Sequence, residues 1–244
     1  PVPSSSAGSW TPNPGLVMLA WISVSAILLL VSSIRITQFH RLFKATSHQR
    51  PDLTSRYCDI ARRLRLRRCP DVVVTTANVA PFVWWQAGRA IVVISQHALQ
   101  QLNDADLRFV ITHEMAHIKR RDHWFRWLEW MAVISFWWNP VMWWARTQLR
   151  ISEEIACDDL VLETTDSKVH PYANSLLNMA ELLTSSAIRP PSVASAINGG
   201  GNLEQRLKMM IAKETWKVPA VVRWCIVSVA FSVLPLGLVD AQDF

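Results

Sequence analysis

Between Leu16 and Ile34 no side chain is charged. A helix over that stretch, rising about 1.5 Å per residue, is long enough to cross a hydrocarbon core about 30 Å thick. A second apolar stretch, Val218 to Val239, is interrupted only by Arg223, one turn from its basic end, where a long side chain snorkels to the headgroups. Two transmembrane helices are therefore expected, over 16–34 and 218–239, and the rest of the chain has to fold between them. The composition agrees: half of the 244 residues are hydrophobic and the mean hydropathy is positive, which is high for a wholly aqueous protein.

Charge sets the orientation of those spans. Arg35, Arg41, Lys44, Arg50, Arg56, Arg62, Arg63, Arg65, Arg67 and Arg68 follow the first span, opposed only by Asp52 and Asp59. Lys213, Lys217 and Arg223 stand at the start of the second, with Asp240 and Asp243 beyond it. The excess of Lys and Arg marks the cytoplasmic side. The layout expected is an extracytoplasmic leader over 1–15, a cytoplasmic domain over 35–217 and an extracytoplasmic tail over 240–244, in a multi-pass cell-membrane protein. The four cysteines, Cys58, Cys69, Cys157 and Cys225, show neither C-x-x-C spacing nor the density of a disulfide scaffold. In a reducing cytosol they are expected as separate thiols, Cys58 and Cys69 included.

The inner region is expected to be mainly α-helical with a small β-sheet. Asp52 to Arg68 reads as a basic amphipathic helix, while Asp71–Thr76 and Arg89–Ile94 read as short strands joined by a loop. Ser95 precedes one helix, and Asn103 or Asp104 caps the next. The segment 184–202, with Pro190, Pro191 and Gly199 to Gly201, reads as a loop before a last helix over Leu203–Lys213.

The capped helix carries His113-Glu114-Met115-Ala116-His117. Two histidines four apart on a helix share a face, so both imidazoles reach one tetrahedral zinc ion. Glu114 then stands beside the open coordination position as general base. A catalytic zinc needs a third protein ligand. His123 has the spacing of the longer motif H-E-x-x-H-x-x-G-x-x-H, but Arg120 replaces its glycine, and six residues on along a continuous helix points about 240° away. The acidic run Ser152-Glu153-Glu154-Ile155-Ala156-Cys157-Asp158-Asp159 offers an alternative. Glu154 and Asp158, four apart, share a face, so one can bind the ion and the other support a ligand histidine. Glu153 and Asp159 fall elsewhere and are expected in solvent.

Between the two motifs, residues 124–144 hold seven of the thirteen tryptophans, together with Asn139-Pro140. Such aromatic density suggests a membrane interface. A single crossing would strand Glu154 across the membrane from His113, so this segment is expected to lie in the interface or to form a re-entrant hairpin.

The motif His113 to Asp122, the stretch Trp137-Trp138-Asn139-Pro140 and the run Glu154-Ile155-Ala156-Cys157-Asp158 together resemble the BlaR/MecR-type membrane metallopeptidases, antirepressor signal transducers with a gluzincin-like site. The resemblance covers most of the chain and implies a zincin-like domain between two transmembrane helices. It implies Zn2+ on His113, His117 and Glu154, Glu114 as catalytic base, Asp158 as support and Asp122 as a further structural carboxylate. It also suggests Ala80–Trp85 as the edge strand along which an extended peptide lies. No S-x-x-K occurs in the chain, so the penicillin-binding domain of sensor members is not expected within it.

The function expected is zinc-dependent endoproteolysis of a cytoplasmic protein, in the family's manner a transcriptional repressor, with self-cleavage as part of activation. Alternatives are a quality-control protease of the HtpX kind, a CAAX prenyl-protein protease, and a catalytically inert signalling scaffold. The expected partners are a protein or peptide substrate and membrane lipids, with self-association into a homo-oligomer compatible and no direct nucleic acid; the basic stretch Arg62–Arg68 reads as a contact with anionic lipid.

Overall fold

The computed structural model describes residues 13–86, 88–184, 195–196 and 203–212. The expected second span, the C-terminal tail and most of the leader and of the 184–202 loop lie outside the described residues. Helix α1, Pro14–Thr46, starts where Asn13 Oδ1 accepts the Gly15 N–H at 2.9 Å, with Pro14 at its first position. By length and composition it is able to cross a membrane, and its apolar side chains from Leu16 to Ile34 are largely exposed. It runs on past Ile34 through the first basic residues, because nothing before Ser47 breaks the helix.

Five strands form a small mixed sheet in the order β1-β2-β4-β3-β5: β1 Ser47–Gln49, β2 Asp71–Thr75, β3 Phe82–Gln86, β4 Arg89–Ser95 and β5 Ser195–Ala196. Only the β2–β4 pair is parallel. The expected loop between two strands thus contains a strand of its own, β3, whose apolar Phe82-Val83-Trp84 is buried.

The two faces of the sheet bury different residues, as strand alternation requires. Val72, Val74, Val92 and Ile94 pack on α2 (Pro51–Arg63) and α4 (Asp104–Arg120), among Tyr57, Ile60, Ile111 and Met115. Val73, Val93, Ile91, Phe82 and Trp84 turn the other way, onto Phe39 and Phe43 of α1. The Ser95 hydroxyl accepts from Ala98 N–H at 3.1 Å to start α3 (Gln96–Gln101), and Asn103 Oδ1 accepts from Asp106 N–H at 2.8 Å to start α4. α5 (Asp122–Ser135) and α6 (Pro140–Thr165) form a helical hairpin that turns at Phe136–Asn139. Its tip lies on α1: Trp21 Nε1 donates to the Ser135 carbonyl at 2.9 Å and the Ser25 hydroxyl to that of Ile134 at 3.1 Å. α7 (Val169–Thr184) and α8 (Leu203–Ala212) complete the described helices; Phe109, Val161, Tyr172, Leu176 and Met210 seat them on α4 and α6.

Two local expectations are corrected. α2 ends at Arg63, not Arg68, because Arg65 takes a left-handed conformation at φ 54° and turns the chain. That turn brings Cys69 back to α2, Cα 5.5 Å from Cys58, and the two are joined in a disulfide rather than standing apart as thiols. Closing a loop of this size stabilises a fold by about 2–3 kcal/mol. Replacing both cysteines by alanine in protein purified without reductant is expected to lower unfolding free energy by about that amount; an unchanged denaturation midpoint would show that the bridge contributes nothing.

Candidate metal centre

Helix α4 passes through the protein with Thr112 to Ala116 wholly buried and His117 nearly so. Three polar side chains, His113, Glu114 and His117, are thereby taken out of water, at a cost that hydrogen bonds or an ion must offset. Across from them lies α6. The acidic run sits in the middle of that helix rather than at its start, so attraction to a helix N-terminus does not explain it. Glu154 approaches both histidines: its Oε2 is 3.2 Å from His113 Nε2 and its Oε1 is 3.8 Å from His117 Nε2.

Each histidine is fixed from behind. His117 Nδ1–H donates to Asp122 Oδ2 at 2.7 Å, and the Cys157 thiol lies 3.6 Å from the same oxygen. His113 Nδ1 lies 3.1 Å from the Tyr172 hydroxyl and 3.3 Å from Asp158 Oδ1, while Tyr172 donates to Asp158 at 2.6 Å. Both Nδ1 atoms being held, both Nε2 atoms face one another's cavity, and both are buried without a hydrogen-bond partner. Arg206 of α8 closes the ring. Its guanidinium donates to Asp158 at 2.8 and 2.5 Å and stands 3.2 Å from Glu154 Oε2.

These environments shift the proton affinity of each group. Burial opposes charge on His113, but Asp158 and Glu154 outweigh it and raise its pKa to about 9. Burial also disfavours the Glu154 carboxylate, yet His113, His117 and Arg206 hold its pKa well below the usual range. Burial raises Glu114 to about 8, against the attraction of His113. His117 is pushed down, burial prevailing over its bond to Asp122. The donor set fits zinc: two imidazole nitrogens and a carboxylate oxygen converge, all buried, with His113 Nε2, His117 Nε2 and both Glu114 oxygens lacking a hydrogen-bond partner among the described residues.

The sequence reading is altered in three places. The helix does not continue to His123 as its spacing implied: α4 ends at Arg120, and Arg121 adopts φ 61° and ψ 37° and caps it through its own N–H. The chain turns there without glycine, and the turn swings Asp122 back beneath His117. His123 goes elsewhere, stacking on Trp85 with ring centroids 3.8 Å apart. Glu153, expected in solvent, is buried against Arg126 at 3.0 Å. Finally, Tyr172 and Arg206 were not anticipated, since neither belongs to a motif near the histidines in sequence. The suggested substrate edge, β3, pairs on its outer side with β5, through Phe82–Ala196 and Val83–Ser195.

Asp122 fixes the His117 imidazole from behind, and loss of such a partner to a metal-binding histidine typically weakens metal affinity 10- to 100-fold. Asp122→Ala is expected to weaken zinc binding in that range, measured by competition with a chromophoric chelator, with His123→Ala unchanged. Equal losses in the two variants would disprove the assignment.

The chain matches the family model described as BlaR1 peptidase M56 over residues 4–210. It is 20% identical over 205 residues to the methicillin resistance mecR1 proteins of Staphylococcus aureus and Staphylococcus epidermidis, covering 84% of this chain and 35% of theirs. It is 31% identical over 78 residues to the regulatory protein BlaR1 of Bacillus licheniformis, 32% of this chain and 13% of that one. The chain thus spans about a third of the length of the mecR1 relatives. With a match across most of its residues, this chain belongs to the BlaR1 peptidase M56 family.

Proposed function

We propose that this chain is a membrane-anchored zinc endopeptidase that cleaves a protein at the cytoplasmic face, in regulatory proteolysis of the kind that relieves a repressor. The observation that carries the reading is the convergence of His113, His117 and Glu154 around a buried Glu114 whose two oxygens have no other partner. His113, His117 and Glu154 would hold the ion, which supplies Lewis acidity to the scissile carbonyl and to water. Glu114 takes the proton from the attacking water and passes it to the leaving amine. Asp122 and Asp158 keep both imidazoles aimed by their Nε2 atoms, and Arg206 balances the charge of Asp158 and Glu154.

Regulatory use is supported by the relatives, one of which is named a regulatory protein. Self-cleavage has support in β5. This segment of the chain itself lies antiparallel on the outer edge of β3, a strand in contact with α4, as an added peptide strand would. The layout that goes with this reading is a span over 16–34, a catalytic domain over 35–217 with the 124–144 hairpin re-entering the membrane, and a second span over 218–239. Positive charge argues for a cytoplasmic domain, whereas the Cys58–Cys69 bridge argues for an oxidising compartment. We give charge the greater weight, because it acts during insertion and a bridge forms afterwards.

Four measurements test the reading. Glu114→Gln is expected to retain zinc and lose at least 100-fold of cleavage activity, in line with removal of a general base; equal activity in the two proteins would refute an enzyme. Wild-type protein is expected to release a fragment ending near Ser195 that the Glu114→Gln variant does not. Membranes washed with alkaline carbonate should keep the chain in the pellet, and once the Cys58–Cys69 bridge is reduced a membrane-impermeant maleimide should label these cysteines in lysed but not in intact cells. Labelling on intact cells treated with reductant would reverse the orientation.

A further inference from the structure

A second built cavity lies away from the metal centre, at the junction of α4 and α5. It measures about 880 Å³ and is walled by the turn after α2, the β3–β4 hairpin and the start of α5. Arg65, Arg67, Arg68, Arg89, Lys119 and Arg121 line it, all exposed, against a single acid, Asp71. Three arginines elsewhere on the domain are paired: Arg50 with Asp52, Arg56 with Asp104 and Arg108 with Asp59. Among the described residues, none of the six has a carboxylate within 4.0 Å. Six unneutralised cations from three separate segments form a site for an anion.

The position of the cavity identifies the kind of anion. At the far end of α5, Ile134 and Ser135 bond to Ser25 and Trp21 of α1. At the near end, His123 stacks on Trp85, while the adjoining Trp84 stacks on His40 of α1. The two helices therefore run in opposite directions along one another. Counting ten residues back from Ile134, roughly 15 Å of helix, reaches Trp124. The same count along α1 from Ser25 reaches Arg35, which ends the uncharged stretch. The cavity thus lies at the depth where the apolar stretch of α1 gives way to charge. From it an apolar stripe climbs α5, Trp124, Leu128 and Met131, at helical spacing and 67%, 65% and 61% exposed. A soluble phosphate or a nucleic acid has no use for that stripe.

We propose that this cavity binds the phosphate headgroup of an anionic diacylphospholipid, whose acyl chains lie along Trp124, Leu128 and Met131. The site would tie the base of the α5–α6 hairpin, and with it Asp122 and the α4 C-terminus, to the membrane surface. The inference rests on α1 being a span.

The test uses the full chain, purified in a zwitterionic detergent and titrated with phosphatidylglycerol or phosphatidylcholine, with bound lipid counted by native mass spectrometry. Wild type is expected to retain phosphatidylglycerol in preference to phosphatidylcholine. Arg67→Gln/Arg89→Gln, which removes exposed charge from two walls without disturbing packed residues, is expected to weaken phosphatidylglycerol binding roughly fivefold for each charge removed. Arg41→Gln/Lys44→Gln, equally basic and juxtamembrane but outside the cavity, should bind as wild type. Equal affinity for the two lipids, or equal loss in both variants, would overturn the proposal. Displacement of the lipid by inorganic phosphate or by an oligonucleotide at matched phosphate concentration would overturn it as well, in favour of that ligand. Failure of the span instead appears as release of the chain by alkaline carbonate, independent of these affinities.

Discussion

Two imidazoles and two carboxylates, His113, His117, Glu114 and Glu154, are buried at the contact between α4 and α6, and most of the architecture around them follows from that burial. Charged and hydrogen-bonding groups removed from water need partners, or they destabilise the fold by several kcal/mol. The partners come from four further places: Asp122 at the start of α5, Cys157 and Asp158 on α6, Tyr172 on α7 and Arg206 on α8. Each of those helices is thus held to the centre by a polar bond as well as by apolar packing. The hydrophobic cluster of Phe109, Val161, Tyr172, Leu176 and Met210 holds α4, α6, α7 and α8 together from the side.

The turn at Arg121 shows how a small backbone feature serves this centre. A non-glycine residue at positive φ costs on the order of 1 kcal/mol. The return is Asp122 Oδ2 at 2.7 Å from His117, with the imidazole fixed so that Nε2 faces inward. The same turn directs α5 away from the domain toward α1, so one local conformation both completes the metal centre and launches the hairpin. The buried pair Arg126–Glu153 and the half-buried pairs Arg146–Glu129 and Arg150–Glu129 then lock the two arms of the hairpin together, close to Glu154 in sequence. The hairpin and the buried histidine–carboxylate cluster therefore share helix α6.

Much of this could be read in the chain. Helical spacing put His113 and His117 on one face and paired Glu154 with Asp158, and capping chemistry located the starts of α3 and α4 at Ser95 and Asn103. Strand patterns located β2 and β4 to within a residue. The less legible parts have identifiable reasons. β3 escapes the strand pattern because its five residues carry no alternation, and only the family resemblance marks Ala80–Trp85 as an edge strand. Glu153 was read as solvated because an acid beside a helix face is indistinguishable, in sequence, from one that meets Arg126. Tyr172 and Arg206 lie 55 or more residues beyond His117, on helices whose own patterns look ordinary.

What the sequence determined by itself is local and chemical: which residue types can bind an ion, which faces of a helix they share, and where uncharged stretches are long enough to cross lipid. Those follow from the fixed periods of helix and strand and from side-chain chemistry, and they need no knowledge of neighbours. What only the tertiary structure decided is which distant groups complete them. The turn at Arg121, the seat of Arg206 against Asp158 and Glu154, the strand β5 on the edge of β3, the bridge between Cys58 and Cys69 and the basic cavity beneath Trp124 all join segments far apart or turned by backbone conformations that no period encodes. Such contacts are set by the packing of whole elements against one another, and packing is a property of the assembled core rather than of any segment within it.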